Sequence, residues 1–365
     1  MKEPLRILVV SDYRSTHTVR PEAEIFIRLL KKGHQVTVMT YAEAKYAQRF
    51  KEAGAQVINS HPNNKNDIDF RIELRKAIQE HDIQIVHFYN SKASVNGLRA
   101  VRGLKVKVCL YRGFTGHVHW YDPTLYMKYM HPRVNAIVCN SQGVANEFIK
   151  QPFIDKKRLK VIHKGHDLSW YAPIKPTSRQ EFGLSKDTLL LVNVANNRKM
   201  KGIKYLLKAM NHLPTDADIK LLLVGREMDI DEHLAILEKG SNSDKVIFTG
   251  FRSDALSIVK MCDIFVLTSL WGESITKAVI EAMSLGIAPI ISDIPGNREL
   301  AIDATSGLVV PRKDPKSTAK AIIRLYDDRH LLAQLKEGAK QHIRDHLNIE
   351  QTVEAYERMY YQLVN

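Results

Sequence analysis

TSLWGESITKAVIEAM, Thr268 to Met283, follows the apolar run Asp263-Ile264-Phe265-Val266-Leu267, which reads as a buried parallel strand. A short polar loop comes next. A helix follows, with Ile275, Ala278, Val279, Ala282 and Met283 on one face. Strand, tight loop and helix start together make an anion site, because the first helical N–H groups lack partners and the dipole favours negative charge. Glu273 lies in the loop and Glu281 eight residues on, a span of about 12 Å if helical throughout. A carboxylate beside a phosphate is useful only as an acceptor for nearby hydroxyls. The spacing therefore suits a ligand with phosphate in the middle and a sugar at each end, as in a nucleotide-sugar. For a lone pair of glutamates the plainer reading, a cap neighbour and a solvated side chain, is the better one.

At 365 residues the chain suits two domains of about 170 residues each. Composition is globular, with 44% hydrophobic and 26% charged residues, and no stretch approaches the ~20 apolar residues of a membrane span. The opening MKEPLRILVVSDYRS enters a strand at once and carries no small-residue cleavage site, unlike a signal peptide. Cys109, Cys139 and Cys262 sit in or beside apolar runs without metal-ligand spacing, which points to free thiols and a cytoplasmic setting. Residues 1–173 hold 28 Lys+Arg against 15 Asp+Glu, and residues 174–365 hold 26 against 25. Nearly all of the +14 net charge thus belongs to the first half, as an anionic lipid or polyanionic partner would require, or simple solubility. No basic-aromatic stacking motif or recognition helix points to nucleic acid.

The first half alternates apolar runs (Leu5–Val10, His34–Thr40, Ala55–Ile58, Ile83–Phe88, Val106–Tyr111, Ala136–Cys139) with helical segments. That is a doubly wound parallel sheet, whose crevice lies beyond the strand C-termini. Absence of G-x-G-x-x-G argues against a dinucleotide-binding dehydrogenase. Ser11 opens the loop after the first strand, and the polar stretch Phe88 to Lys92 is placed to meet an acceptor. Arg112 to Trp120 brings His117, His119 and two aromatic rings around two glycines. Pro123 to His131 reads as a helix with a mixed aromatic face, either core packing or an acceptor- or membrane-facing surface. In the second half, the strand Leu189–Val194 leads into Asn196, Arg198 and Lys201-Gly202 before a helix, and Val246–Phe251 ends at Arg252. The triplets at Asp67/Asp69, Asp216/Asp218 and Asp229/Asp231 do not follow buried strands, so helix starts and turns explain them better than a cation site.

Glu273 and Glu281 resemble the E-x7-E signature of retaining glycosyltransferases of family 4, and further stretches match that family in order. Val161 to Pro173 is similar to its V-I-x-N-G-x-D segment, with Lys164 in place of Asn. Lys201-Gly202 matches its phosphate-binding Lys-Gly; the usual upstream Arg falls near Asn196, and Arg198 is the natural substitute. Ser274-Ile275-Thr276 departs from the family's G-F-G.

The resemblance implies an α/β GT-B fold, two Rossmann-like domains with parallel sheets facing a central cleft. It implies an acceptor-side domain over 1–165, a linker over 166–176, a nucleotide-sugar-binding domain over 177–345, and a terminal helix, 346–365, packing back on the first domain. It implies that Glu273, Arg198 and Lys201, with His117 or His119, carry catalysis, and that Glu281, Gly272, Ser274, Ile275, Thr276, Asn196, Ser11 and Arg252 meet the donor. It implies retaining transfer from a nucleoside-diphosphate sugar to a glycan or lipid-linked acceptor in cell-surface polysaccharide or lipopolysaccharide synthesis. No metal or other cofactor is expected, since Arg198, Lys201 and the helix start can neutralise the leaving group. The basic first half adds a peripheral contact with anionic membrane. A GT-B epimerase or phosphorylase, or a non-catalytic nucleotide-sugar or polyanion binder, are the rival readings.

Overall fold

The structure, a computed structural model, describes residues 3–365; Met1 and Lys2, where the reading of the N-terminus begins, lie outside the described residues. Short apolar runs separated by amphipathic segments bury both faces only when strands stack in parallel under helices. The chain does this twice, in two compact units, Met1–Gly165 with Leu347–Asn365, and His166–His346.

Among the described residues of the first unit the strands are β1 (Arg6–Val10), β2 (Gln35–Met39), β3 (Gln56–Ile58), β4 (Ile85–Phe88), β5 (Lys107–Arg112), β6 (Ala136–Cys139) and β7 (Leu159–Val161). They pair in the order β3-β2-β1-β4-β5-β6-β7, all parallel. Leu8, Val10, Val86, Phe88, Leu110 and Ile137 from these strands share one core. β7 was not expected from sequence: its three residues, one of them Lys160, are too few to show a period and sit in a basic run. Asp67, Asn90, Asp122 and Ser141 cap helices by accepting backbone N–H groups two or three residues on. The helix expected over Pro123 to His131 stops at Tyr126. Lys128 and Met130 N–H both turn back onto Leu125 O (3.2 and 3.0 Å), three and five residues on, so the four-residue ladder of the helix does not continue.

The last helix, Ile349–Val364, lies against the first, Thr16–Lys31. Arg28 bridges Glu24 (2.7 Å) and Glu350 (2.6 Å), and Lys32 and His34 both reach Glu357. Beneath these ion pairs the Tyr89 hydroxyl donates to Tyr356 Oη (3.0 Å), and His87 Nδ1 shares a 2.7 Å hydrogen bond with Tyr360. Burial, helped by the Lys164 charge, pushes the His87 pKa down to about 3.

In the second unit the described strands are β8 (Leu189–Val194), β9 (Ile219–Val224), β10 (Val246–Gly250), β11 (Ile264–Leu267), β12 (Ala288–Ser292) and β13 (Leu308–Val310). Their order is β10-β9-β8-β11-β12-β13, again parallel throughout. Asp263 pins the start of β11 by accepting from Leu190 N–H (3.1 Å), Arg179 (3.3 Å) and Lys336 (2.8 Å). The helix after β11 runs Lys277–Ser284, so Ile275 precedes it. Ile280, buried with Val279, Ala282 and Met283, takes the place expected for Ile275 on the core face.

His87 makes stability depend on acid. The unfolded side chain binds a proton near its ordinary value of 6.5, whereas the folded one resists until about 3. Between those values the unfolded chain holds the extra proton, so stability is lost as pH falls. Denaturant unfolding near neutrality and near pH 4 should show a pH-dependent loss smaller by ~3 kcal/mol in His87→Gln than in the parent. Identical losses in the two proteins would contradict this origin.

Candidate functional site

In the second unit the strand order reverses between the neighbours β8 and β11. Chains leaving such a pair run to opposite faces of the sheet and open a crevice at its C-terminal edge. Here the two exit loops are tied together. Leu270 N–H donates to Met200 O at 2.7 Å, and the Thr268 hydroxyl reaches Gly202 O (3.1 Å) and Lys201 O (3.3 Å). From the next strand, the Ser292 hydroxyl donates to Ser269 O at 2.5 Å. Gly202, at φ +67°, starts the helix Ile203–Met210, and a Cβ there would lie 2.2 Å from Thr268 O. At Gly296 a Cβ would lie 2.1 Å from Ser274 O and 2.4 Å from Glu273 O, so the loop after β12 packs directly on the glutamate's backbone.

This interlock brings two of the expected residues into contact. Lys201 Nζ donates to Glu273 Oε1 at 2.5 Å, with the side chains only 17% and 11% exposed. The Ser269 hydroxyl donates to the same oxygen (3.0 Å) and the Thr276 hydroxyl to Oε2 (3.2 Å). Thr276 is the N-cap of the helix Lys277–Ser284, yet its side chain makes no capping bond because it is turned to Glu273. The positive end of that helix is therefore presented beside the Lys201–Glu273 pair without a side-chain cap from Thr276. Glu281 pairs with Lys277 on the same helix. Gly272 bends the loop at φ +78°, with Ser274 buried and Ile275 half-buried behind it.

Asn196 and Arg198 are exposed on the loop after β8. The Arg198 side chain has no partner among the described residues, and with Lys199, Lys204, Trp271 and Lys313 it lines a cavity of about 400 Å³. Arg252 does not join this group. Its fork is taken up by Asp254 (2.8 and 2.7 Å) and Glu181 (2.6 Å), and the Asp254 bonds in particular hold it fully protonated. Thr268, Ser269 and Gly296 were missed from sequence; a Thr-Ser pair ending a buried strand is the signal that could have found the first two.

Within the first unit the order reverses between β1 and β4. Ser11 is buried there, its N–H on Met39 O at 3.3 Å. Nearby, Lys164 Nζ lies 3.5 Å from Glu22 Oε2 and 4.5 Å from the Tyr111 ring centroid. Burial pushes the Glu22 carboxyl up, with the Lys164 charge opposing it. Arg112, buried, donates to Phe114 O (3.1 Å) and Gly116 O (2.5 Å) and so shapes the loop bearing His117 and His119. Both histidines are exposed; His117 has φ +55°, and His119 stacks on Tyr121 with centroids 5.1 Å apart.

Among the described residues no cluster of three or more His, Cys, Asp or Glu is placed to hold a metal ion. Asp67 caps a helix, Asp218 accepts from the Thr188 hydroxyl (2.9 Å), and Asp231 opens the helix Asp231–Glu238. The three cysteines are free and buried, and burial pushes the Cys139 thiol up to about 12. No helix among the described residues is long and apolar enough to cross a membrane.

The sequence profile described as glycosyl transferases group 1 matches residues 174–342, and that described as Glycosyltransferase Family 4 matches residues 23–170. An uncharacterized glycosyltransferase, MJ1069, of Methanocaldococcus jannaschii is 28% identical over 254 residues, 68% of this chain and 63% of that protein. The UDP-Gal:alpha-D-GlcNAc-diphosphoundecaprenol alpha-1,3-galactosyltransferase of Escherichia coli is 26% identical over 315 residues, 82% of this chain and 80% of that enzyme. The crystal structure of Anabaena Alr3699/HepE in complex with UDP superposes with a TM-score of 0.81 at 17% identity, covering 98% of this chain and all of that one.

The loop interlock can be tested with two glycines of similar backbone. Gly183 (φ +64°) has open space around its Cβ position, whereas Gly202 (φ +67°) faces Thr268 O. Gly183→Ala should cost ~1 kcal/mol for the left-handed backbone alone, and Gly202→Ala at least about twice that, read by urea unfolding. Equal costs would mean that the two loops are not locked together.

Proposed function

Because the chain belongs to the glycosyl transferases group 1 family and has the GT-B fold, we propose that it transfers a sugar, with retention, from a nucleoside-diphosphate sugar to a glycan or lipid-linked acceptor. The observation that carries this reading is the Lys201–Glu273 pair on interlocked loops at the strand-order switch, beside a helix start. In the reaction, the bond from the anomeric carbon to the diphosphate oxygen breaks while an acceptor hydroxyl oxygen bonds to that carbon. The acceptor proton passes to the departing phosphate on the same face. Negative charge then grows on the diphosphate, and a fixed positive group behind it lowers the barrier most.

Lys201 is that group, held in place before substrate arrives. Arg198 adds a planar fork that can bridge two phosphate oxygens. The carboxylate of Glu273 orients sugar hydroxyls through acceptor lone pairs, and Glu281 does the same for the ribose. Gly272, Ser274, Ile275 and Thr276 shape the backbone against which the donor rests. With Arg198, Lys201 and the helix end supplying positive charge, the transfer runs without a metal. One of His117 and His119 takes a further catalytic part, as the family resemblance implies.

Support for a uridine nucleotide comes from the UDP bound by HepE, and support for a lipid-linked acceptor from the diphosphoundecaprenol substrate in the name of the E. coli relative. The activity then belongs to cell-surface polysaccharide or lipopolysaccharide synthesis in the cytoplasm. The basic first unit would rest against the inner face of the membrane.

Lys201→Ala should lower transfer about 100-fold or more and also shrink the thermal shift caused by nucleotide. Glu273→Ala should lower transfer comparably while keeping most of the shift given by the nucleotide alone. A screen of UDP, GDP and ADP against the parent sets the base. Nucleotide binding with no sugar transfer to any lipid-linked or glycan acceptor would leave only a binder.

A further inference from the structure

Away from the Lys201–Glu273 pair, the second unit gathers charged and aromatic side chains around one recess. A cavity of about 400 Å³ opens between the starts of the helices Ile203–Met210 and Asp231–Glu238 and the loop after β13, where Lys313 stands. Neither Lys201 nor Glu273 lines it. The helix Ile203–Met210 carries the chain from β8 to β9, and the helix Lys277–Ser284 carries it from β11 to β12, in the opposite direction along the sheet. Right-handed connections therefore put these helices on opposite faces. The cavity belongs to the face of the first, where the helices Asp231–Glu238 and Pro315–Asp327 also pack.

The lining is cationic. Arg198, Lys199, Lys204 and Lys313 meet there with one acid, Glu232, which lies 3.6 Å from Lys204. The other three cations have no acidic partner among the described residues. Lys313 is held at φ +61°, a left-handed state that costs a lysine more than a glycine. The helix that starts at Gly202 has no side-chain cap, so its first N–H groups add to the positive field. Two more groups call for more than an inorganic anion. His233 is only 3% exposed, and its Nδ1–H donates to Met228 O at 2.6 Å. That bond makes Nε2 the acceptor of the neutral ring, and Nε2 has no partner among the described residues. Trp271 is 53% exposed, with no ring or cation on its face among the described residues.

We infer that this cavity binds a phosphorylated sugar, with its phosphate at the four cations, a hydroxyl donating to His233 Nε2 and the C–H face of the ring on Trp271. A phosphate monoester carries about two negative charges at neutral pH, which such a cluster can balance. A carboxylate would leave most of the cations unanswered, and a neutral sugar all of them. The size suits a single sugar unit, either free or at the end of a glycan. Arg198 is shared with the donor diphosphate of the proposed reaction, but the binding stands on the remaining groups and not on that reading.

Glucose 6-phosphate, a trisaccharide with a terminal 6-phosphate, inorganic phosphate and glucose are titrated into the full chain by calorimetry. One of the two esters should bind saturably at about millimolar concentration or below, and at least about tenfold more tightly than phosphate or glucose. The better ester tells a free metabolite from a glycan end. Lys313→Gly removes a cation and relieves the backbone, so it should weaken ester binding about tenfold with a melting temperature no lower than the parent's. Trp271→Ala should weaken ester binding about tenfold and leave that of inorganic phosphate unchanged. Both variants should keep the thermal shift given by nucleotide, and Lys201→Ala should keep ester binding. No ester binding in the parent, or variants that bind like the parent, would overturn the site. Inorganic phosphate bound as tightly as the esters would overturn the sugar assignment. Loss of nucleotide and ester together in Lys313→Gly or Trp271→Ala would make the cavity part of the donor site and overturn the inference as well. Ester binding absent with sugar transfer intact strikes this inference alone; ester binding intact without transfer strikes the enzymatic reading.

Discussion

A backbone hydrogen bond from Leu270 N–H to Met200 O helps hold together two loops that the strand order of the second unit would otherwise send apart. Polar backbone that leaves a sheet edge and stays partly buried must find partners. These loops find them in each other, with Thr268 closing onto the carbonyls of Lys201 and Gly202. The meeting of Lys201 with Glu273 follows from that closure. A largely buried ion pair adds little net stability, because the cost of taking two charges out of water offsets most of their attraction. Its effect is on position: two long side chains that would sample many rotamers are held in one arrangement.

The first unit uses the same topological feature differently. Its reversal between β1 and β4 is filled by side chains, with Tyr13, Glu22, Tyr89 and His87 all buried. Burial alone would pull the Lys164 pKa down, but the Tyr111 and Glu22 contacts outweigh it and leave it raised. Lys164 therefore stays charged, with Glu22 as its counter-ion. A cation can stand there because the first helix supplies a buried acid.

The α/β class was legible because buried parallel strands are continuous apolar runs, and Ile264–Leu267 or Leu189–Val194 can hardly be anything else. Where the signal is shorter than a period it fails, as at Leu159–Val161. The stop at Tyr126 failed to show for another reason: Leu125 O accepts the N–H groups of Lys128 and Met130, a local end to the helix that the apolar and aromatic pattern does not mark. At the site, motif spacing marks Lys201 and Glu273 but says nothing of their direct contact, since 72 residues separate them. The Ser269 hydroxyl, which helps fix the carboxylate, looks in sequence like that of an ordinary loop residue, while Thr276, marked by the resemblance for the donor, turns its hydroxyl to Glu273. Ile275 was misplaced because the helix period was carried back into a loop whose geometry is set by Glu273 and Gly296.

Lys201 and Arg198 differ in how much freedom they keep, and on the proposed reading this divides their work. Lys201 is ordered before any ligand binds, so its charge needs no reorganisation when the diphosphate departs, which is the condition for lowering a barrier. Arg198 is exposed on the same loop, and fixing a rotamer-rich side chain costs about 1 kcal/mol or more of entropy on binding. That cost falls on the ground state as well as the transition state. An arginine of this kind therefore tunes how tightly the diphosphate is held, whereas the lysine sets how fast it leaves. The arrangement depends less on the charges themselves than on Gly202 and Gly296, where any side chain would push the loops away from the backbone they rest on.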